Sequence, residues 1–253
     1  MKAHKLLPLA ALLTFGCGDD PKDDTENPGE TGDSDTTASM CPELVPVACE
    51  DDLVQDLLTD DGDVSDGAVT TTTDGDDFVT VVDASAGGMN QAANNPWVYI
   101  RFDADGASRV DISDEDALES AEWHMGLRRF LLRMNSGDGG PSCVGISKMA
   151  AYDYADLTEE PSGVTYQLED FYSESCELQM DGYGMSPTFA TYGWWAYSAC
   201  VETTMVPFLI QLDDGQVLKL MVEAYYGSGQ DDCNTSGAAG SDSGLLTLRW
   251  SFL

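Results

Sequence analysis

Apolar and polar side chains alternate with a period of two along several stretches of this 253-residue chain, the pattern of half-buried strands. Phe78 to Val82 is rich in β-branched residues and runs into Asp83-Ala84-Ser85. Between Trp97 and Asp103, Val98, Ile100 and Phe102 face one way and Trp97, Tyr99 and Arg101 the other, before a turn at Asp105-Gly106. Trp123, Met125 and Leu127 share a face. Beyond Arg128-Arg129 the alternation resumes one residue out of phase, at Phe130, Leu132 and Met134. A slip of one residue within a strand is what a β-bulge produces, so a bulge is predicted at the two arginines. Further strands are predicted at Val164 to Leu168 and Trp194 to Tyr197. A hairpin follows, Phe208 to Leu212 and Val217 to Tyr226, turning at Asp213-Asp214-Gly215. The chain ends with Leu246, Leu248, Trp250 and Phe252 on one face, opposite Thr247, Arg249 and Ser251. Helical spacing is confined to Leu53, Val54, Leu57 and Leu58, a brief cap. Residues 68–253 therefore read as an all-β, mainly antiparallel domain.

The N-terminal quarter reads differently. Lys2 and Lys5 precede an apolar run from Leu6 to Phe15 that is too short to span a bilayer, and Gly16-Cys17 ends it. Residues 1–17 thus resemble a bacterial lipoprotein signal, with Cys17 as the lipid attachment site. Residues 18–40 hold almost nothing apolar and are expected to be a disordered acidic linker. In residues 41–67, Cys41 and Cys49 bracket a proline-containing loop, which predicts a short capping segment closed by a Cys41–Cys49 disulfide. Apart from Cys17 the chain has six cysteines, an even set suited to disulfides in an oxidising compartment. The expected location is the bacterial outer membrane or cell surface, lipid-anchored, or otherwise the periplasm or medium.

Charge narrows the partners. Against 46 acidic residues stand 11 Lys and Arg, a formal net charge of −35, which repels nucleic acid and anionic headgroups. Outside the signal His124 is the one histidine, so no Ser-His-Asp set is available, and no phosphate loop is present. The chain does not read as an enzyme. His124 itself reads as a hydrogen-bonded structural histidine. The turns Asp61-Gly62-Asp63 and Asp74-Gly75-Asp76-Asp77 offer weak calcium binding at most, because Asp66 stands where an EF-hand loop needs glycine. Arg128, Arg129 and Arg133 are three of six arginines on one short stretch, suited to ion pairs or to a ligand's carboxylates. Met180 and Met185 flank a glycine-rich D-G-Y-G loop, and Met205 follows later.

The stretch W-H-M-G-L-R-R-F-L-L-R-M-N-S-G, Trp123 to Gly137, resembles the signature W-D-x-A-x-x-R-Y-x-x-R-x-N-x-G of the HmuY-like family of haem-binding bacterial lipoproteins. V-T-V-V-D-A-S near Val79, G-W-W-A-Y-S at Gly193 to Ser198 and D-D-G-Q-V-L-K-L at Asp213 to Leu220 extend the resemblance to about Phe252. It implies a surface lipoprotein that binds haem or a related tetrapyrrole, in scavenging or transfer. Where the family places its two histidine ligands, this chain has Ala199 and the Ser175-Cys176 pair. Methionine is the remaining soft donor, so the resemblance points to Met180, Met185 or Met205 as haem ligand and to Arg128 and Arg129 at the propionates. It also implies that Cys176 and Cys200, flanking the two ligand regions, pair with each other, leaving Cys143 with Cys233. The competing readings are a non-haem structural or interaction lipoprotein on the same scaffold, and a calcium-stabilised adhesion module.

Overall fold

The computed structural model describes residues 41, 43–57, 62–86 and 95–253. The lipid site at Cys17, the linker 18–40, Leu58 and Asp61 lie outside the described residues. The chain is built mostly of antiparallel strands with a few short helices. Its largest sheet has six strands: β1 (Val69–Asp74), β2 (Asp77–Asp83), β12 (Ser243–Phe252), β11 (Val217–Tyr226), β10 (Phe208–Gln211) and β7 (Gly145–Lys148), in that spatial order. A four-stranded sheet runs β4 (Gly106–Val110), β3 (Val98–Asp103), β5 (Met125–Arg128), β6 (Leu131–Met134). The strands β8 (Trp195–Tyr197) and β9 (Val201–Thr203) form a separate ribbon.

The period-two faces close on one core. Leu246, Leu248 and Trp250 of β12 are wholly buried and join Val98, Ile100 and Phe102 of β3 and Met125 and Leu127 of β5 in a single cluster. Trp250 stacks on Phe78 at 4.5 Å, and its indole N–H donates to Thr80 Oγ1 at 2.9 Å, so the aromatic is buried without an orphaned donor. The opposite face of β12 carries Arg249, which pairs with Asp74, Asp77 and Glu223. Asp74 and Asp77 of the β1–β2 turn are thereby used internally. No group of three metal-ligating acids, cysteines or histidines occurs among the described residues.

A second cluster fills the far end, with Trp97, Tyr99, Trp123, Phe171 and Phe189 packed against Leu53 and Leu57 of helix α1 (Glu50–Leu57). The acidic connection after β4 becomes the single helical turn α2 (Asp114–Ala117). Ser113 caps it through Asp116 N–H, and buried Asp114 accepts from Trp97 N–H and Tyr99 Oη–H.

Three expectations are corrected. The phase slip at the arginines is a reversal of direction: β5 and β6 pair Arg128 with Leu131 across a two-residue turn, Arg129-Phe130. Arg129 takes φ +53° there while Phe130 does not have positive φ, as in a type II′ hairpin. Val164 to Leu168 is no strand. Val164 and Tyr166 pack on Met149, Leu157 and Leu209, but only Gln167 bridges to β7, which is four residues long. The cysteines also pair differently, as Cys41–Cys143, Cys49–Cys176 and Cys200–Cys233, with Cα–Cα distances of 5.7, 5.4 and 6.0 Å. Packing explains each. Val45 N–H donates to Pro141 O, laying residues 43–47 beside the segment that leads to Cys143. Tyr172 Oη donates to Asp56 in the last turn of α1, holding the helix that follows Cys49 against the segment that leads to Cys176. Asn234 of α3 (Asp231–Ser236) bonds Thr203 of β9, setting Cys233 against Cys200. The expected Cys41–Cys49, Cys143–Cys233 and Cys176–Cys200 bridges do not form. Cys41 and Cys49 are each joined to the later part of the chain rather than to each other.

Candidate functional site

The arginine-rich tip of the β5–β6 hairpin meets the Met185 loop. Arg128, Arg129, Phe130, Leu131 and Met185 line one cleft of about 220 Å³. Larger clefts of about 340 Å³ beside Asp63 and Asn95, 330 Å³ beside Lys148 and Tyr192, and 370 Å³ beside Lys219 and Leu253 present no histidine, cysteine or methionine. A soft donor and two cations share the smallest of these spaces.

Each cation is held by apolar neighbours more than by counter-ions. Arg128 is 5% exposed, lies 4.7 Å over the Trp97 ring and donates through Nη2 to Leu57 O at 2.6 Å. Its Nε and Nη1 are buried with no acceptor. Burial and the neighbouring Arg133 push its pKa down to about 10, against the opposing pull of Asp114. Arg129 sits 5.5 Å from the Phe130 ring and hydrogen-bonds Tyr225, leaving its own Nε without a partner. Arg133, by contrast, is a core residue. Its guanidinium donates to Gly139 O and Tyr99 Oη at 2.6 Å each, among the rings of Trp97, Tyr99 and Trp123.

The facing loop is polar inside and apolar outside. Tyr183 is 48% and Met185 40% exposed. Tyr183 stacks at 5.3 Å on Trp195, which tilts against Phe130 at 5.2 Å, so loop, ribbon and hairpin tip form one aromatic surface. Beneath the loop, Asp181 is buried. Sequence reasoning singled out neither Asp181 nor the stack of Phe130, Tyr183 and Trp195. The signal available was an Asp opening D-G-Y-G-M-S, a composition that favours side-chain-to-backbone turns.

The other candidates separate. Met180 is exposed and bridges to Pro187, but does not line the cleft. Met205 lies beyond β9, with Thr203 Oγ1 directed at its sulfur at 3.6 Å. His124 is fully buried: Nδ1 accepts from Phe102 N–H at 3.1 Å and Nε2 donates to Asp213 at 3.1 Å, so both ring nitrogens are occupied. Of the positions matching the family's histidines, Cys176 is in a disulfide and Ala199 lies exposed.

The residues at the tip fit a haem only from one side. Met185 supplies one soft donor, and the positive charges of Arg128 and Arg129, which line the same cleft, favour an anionic group. The cleft falls below the ~300–1,000 Å³ of enclosed small-molecule sites, so a macrocycle would lie against the aromatic surface rather than within it.

No curated protein matches the chain. Among solved structures it is similar to a protein from Bacteroides vulgatus provisionally described as HmuY-like and haem-binding, at 15% identity and TM-score 0.42 over 74% of this chain and 96% of that one. A protein from Bacteroides fragilis, provisionally described as a lipoprotein, aligns at 13% identity and TM-score 0.38 over 71% and 91%. The apo HmuY analogue of Tannerella forsythia aligns at 12% and 0.38 over 75% and 98%. The profile of the HmuY protein family matches residues 93–237, which contain the β5–β6 hairpin, the Met185 loop and the β10–β11 hairpin. That span is more than half of the sequence, and the chain belongs to the HmuY family.

Proposed function

We propose that this chain is a lipid-tethered surface protein that binds haem or a related tetrapyrrole at the hairpin tip. In this reading the Met185 sulfur is the iron ligand and Arg128 and Arg129 attract the carboxylates. The observation that carries it is the exposed Met185 on the same cleft as Arg128 and Arg129. Membership of the HmuY family supports it. Haem supplies an iron that alternates between ferric and ferrous states, and thioether sulfur favours the ferrous one. Tyr183 and Phe130 offer ring faces on which a flat macrocycle can rest. One sulfur replaces a two-histidine grip, so binding is expected to be tighter under reducing conditions.

The test is a haem titration of the mature protein with and without dithionite, followed by absorption. Met185→Ala should remove the reduced-haem spectrum with an unchanged circular-dichroism signal, while Met205→Ala should leave it in place. Equal spectra for wild type and Met185→Ala would refute the ligand assignment. No haem spectrum in the wild type would favour the rival, a non-haem interaction lipoprotein on the same scaffold. His124, Cys176 and Ala199 leave room for that rival.

A further inference from the structure

We infer that Asp181 is the positioning residue of this site: its buried carboxylate fixes the loop that presents Tyr183 and Met185, without itself facing a ligand. Asp181 is 7% exposed, whereas residues 182–185 above it are all exposed. One oxygen, Oδ1, accepts from the backbone N–H of Tyr183 at 2.9 Å and of Met185 at 3.0 Å. The other, Oδ2, accepts from Ser186 Oγ at 2.7 Å. The loop ends are joined as well, by Asp181 N–H to Ser186 O at 2.8 Å and Gly184 N–H to Asp181 O at 3.0 Å. Gly184, at φ +62°, lets the chain reverse without strain.

The two residues whose N–H groups share Oδ1 are the two whose side chains project onto the aromatic surface. Tyr183 reaches Trp195, and Met185 reaches the arginine cleft. A surface loop of six residues with two glycines would ordinarily sample many conformations, and ordering it on binding costs affinity. Bonds to an ionised acceptor are about twice as strong as neutral ones, and of these three one is buried and two are partly buried. The carboxylate therefore bears that ordering cost during folding, and the thioether is preset for its ligand. Ligand selection follows from this. A preset sulfur beside a flat ring suits a planar, soft-metal macrocycle, and loses its advantage when the loop is freed.

The inference rests on the proposed haem site, and its test separates the two. Methionine ε-methyl NMR of the full mature protein, labelled with ¹³C and free of ligand, reads loop order directly. Met185, assigned through Met185→Leu, should give one narrow resonance in the wild type. In Asp181→Ala it should broaden or move to the position of a disordered methionine, with buried Met125 and Met134 unmoved. Asp181→Asn, which retains one acceptor oxygen, should restore most of the signal. Haem titration under dithionite should show affinity falling about tenfold or more in Asp181→Ala, and recovering in Asp181→Asn. An unmoved Met185 resonance in Asp181→Ala overturns the inference, whatever the haem result. A wild type that fails to bind haem refutes the ligand reading alone, and the Met185 resonance still decides the role of Asp181. If Met125 and Met134 also shift in Asp181→Ala, Ser186→Ala decides, since it removes one bond to the carboxylate and keeps the carboxylate itself. A Met185 signal unchanged in Ser186→Ala then overturns the inference.

Discussion

Glu169 shows how a single buried carboxyl ties the site to pH. Its Oε1 accepts from Met134 N–H at 2.8 Å and its Oε2 from Ala190 N–H at 2.6 Å, joining β6 to the segment that leads to the ribbon. Gly137 sits against its backbone at φ +53°, where a side chain would collide with the Glu169 carbonyl. These N–H bonds and Arg133 favour the carboxylate, yet burial outweighs them and raises the pKa to about 7 from an ordinary 4.5. A raised folded-state pKa means the folded protein keeps a proton that the unfolded chain has already released. The contribution is full below pH 4.5 and is lost as pH rises through about 7, worth ~3 kcal/mol over the window. Denaturant titrations of wild type and Glu169→Gln should therefore converge or cross as pH rises, their stability difference changing by about that amount. Parallel curves from pH 4.5 to 7.5 would show that Glu169 does not titrate in this range. Any constant cost of the Gln side chain cancels from the slope.

At the scale of elements, the strands were legible because alternation needs no partner to be recognised. β2, β3, β8, β10, β11 and β12 fall where the period-two faces place them, and α1 where Leu53, Val54 and Leu57 recur. What alternation cannot show is whether a phase slip bulges or reverses, since both move the next side chain to the other face. The turn at Arg129-Phe130 carries none of the Gly, Asn or Asp that mark hairpins, so it was hidden. β1 was missed for another reason: V-T-T-T-T-D offers no apolar alternation, and its place is secured by pairing with β2 and by Thr71 Oγ1 bonding Ala107 O. Pairing between cysteines was the least legible, because it depends on which elements become neighbours across more than a hundred residues of chain. Cys49–Cys176 joins α1 to the turn before the Met185 loop and closes 127 residues. On chain-entropy grounds it constrains the unfolded state by ~4–5 kcal/mol. Cys49→Ser combined with Cys176→Ser should lower Tm by roughly 10 °C, at about 2–4 °C per kcal/mol for a domain of this size. Peptide mapping without reduction should recover Cys49 joined to Cys176. A Cys176–Cys200 peptide, or an unchanged Tm, would contradict this arrangement.

The whole molecule sets a negative field around a small positive site. With 46 acidic and 11 basic residues, most surface charges repel one another, and Arg249 is the one cation that gathers three carboxylates among the described residues. Arg128 and Arg133 lie inside, beyond the reach of mobile counter-ions, while the acidic surface is open to them. Salt should therefore act unevenly. Raising ionic strength from about 0.01 M to 1 M shortens the screening length from ~30 Å to ~3 Å, which removes surface repulsion but leaves buried contacts almost unchanged. Thermal stability is expected to rise with sodium chloride, and more steeply at pH 7 than at pH 4.5, where part of the carboxylate charge is gone. The same screening should hasten the approach of an anionic macrocycle, so its association rate should increase with salt while dissociation, governed by the cleft, stays level. A ligand recognised mainly by exposed arginines would behave in the opposite way, its association slowing as salt screens the attraction. Stopped-flow association measured across sodium chloride concentrations distinguishes the two. A rate that falls with salt would mean that the local charge of Arg128 and Arg129 dominates the field the ligand meets, and would displace the account of a buried positive site within a repelling surface.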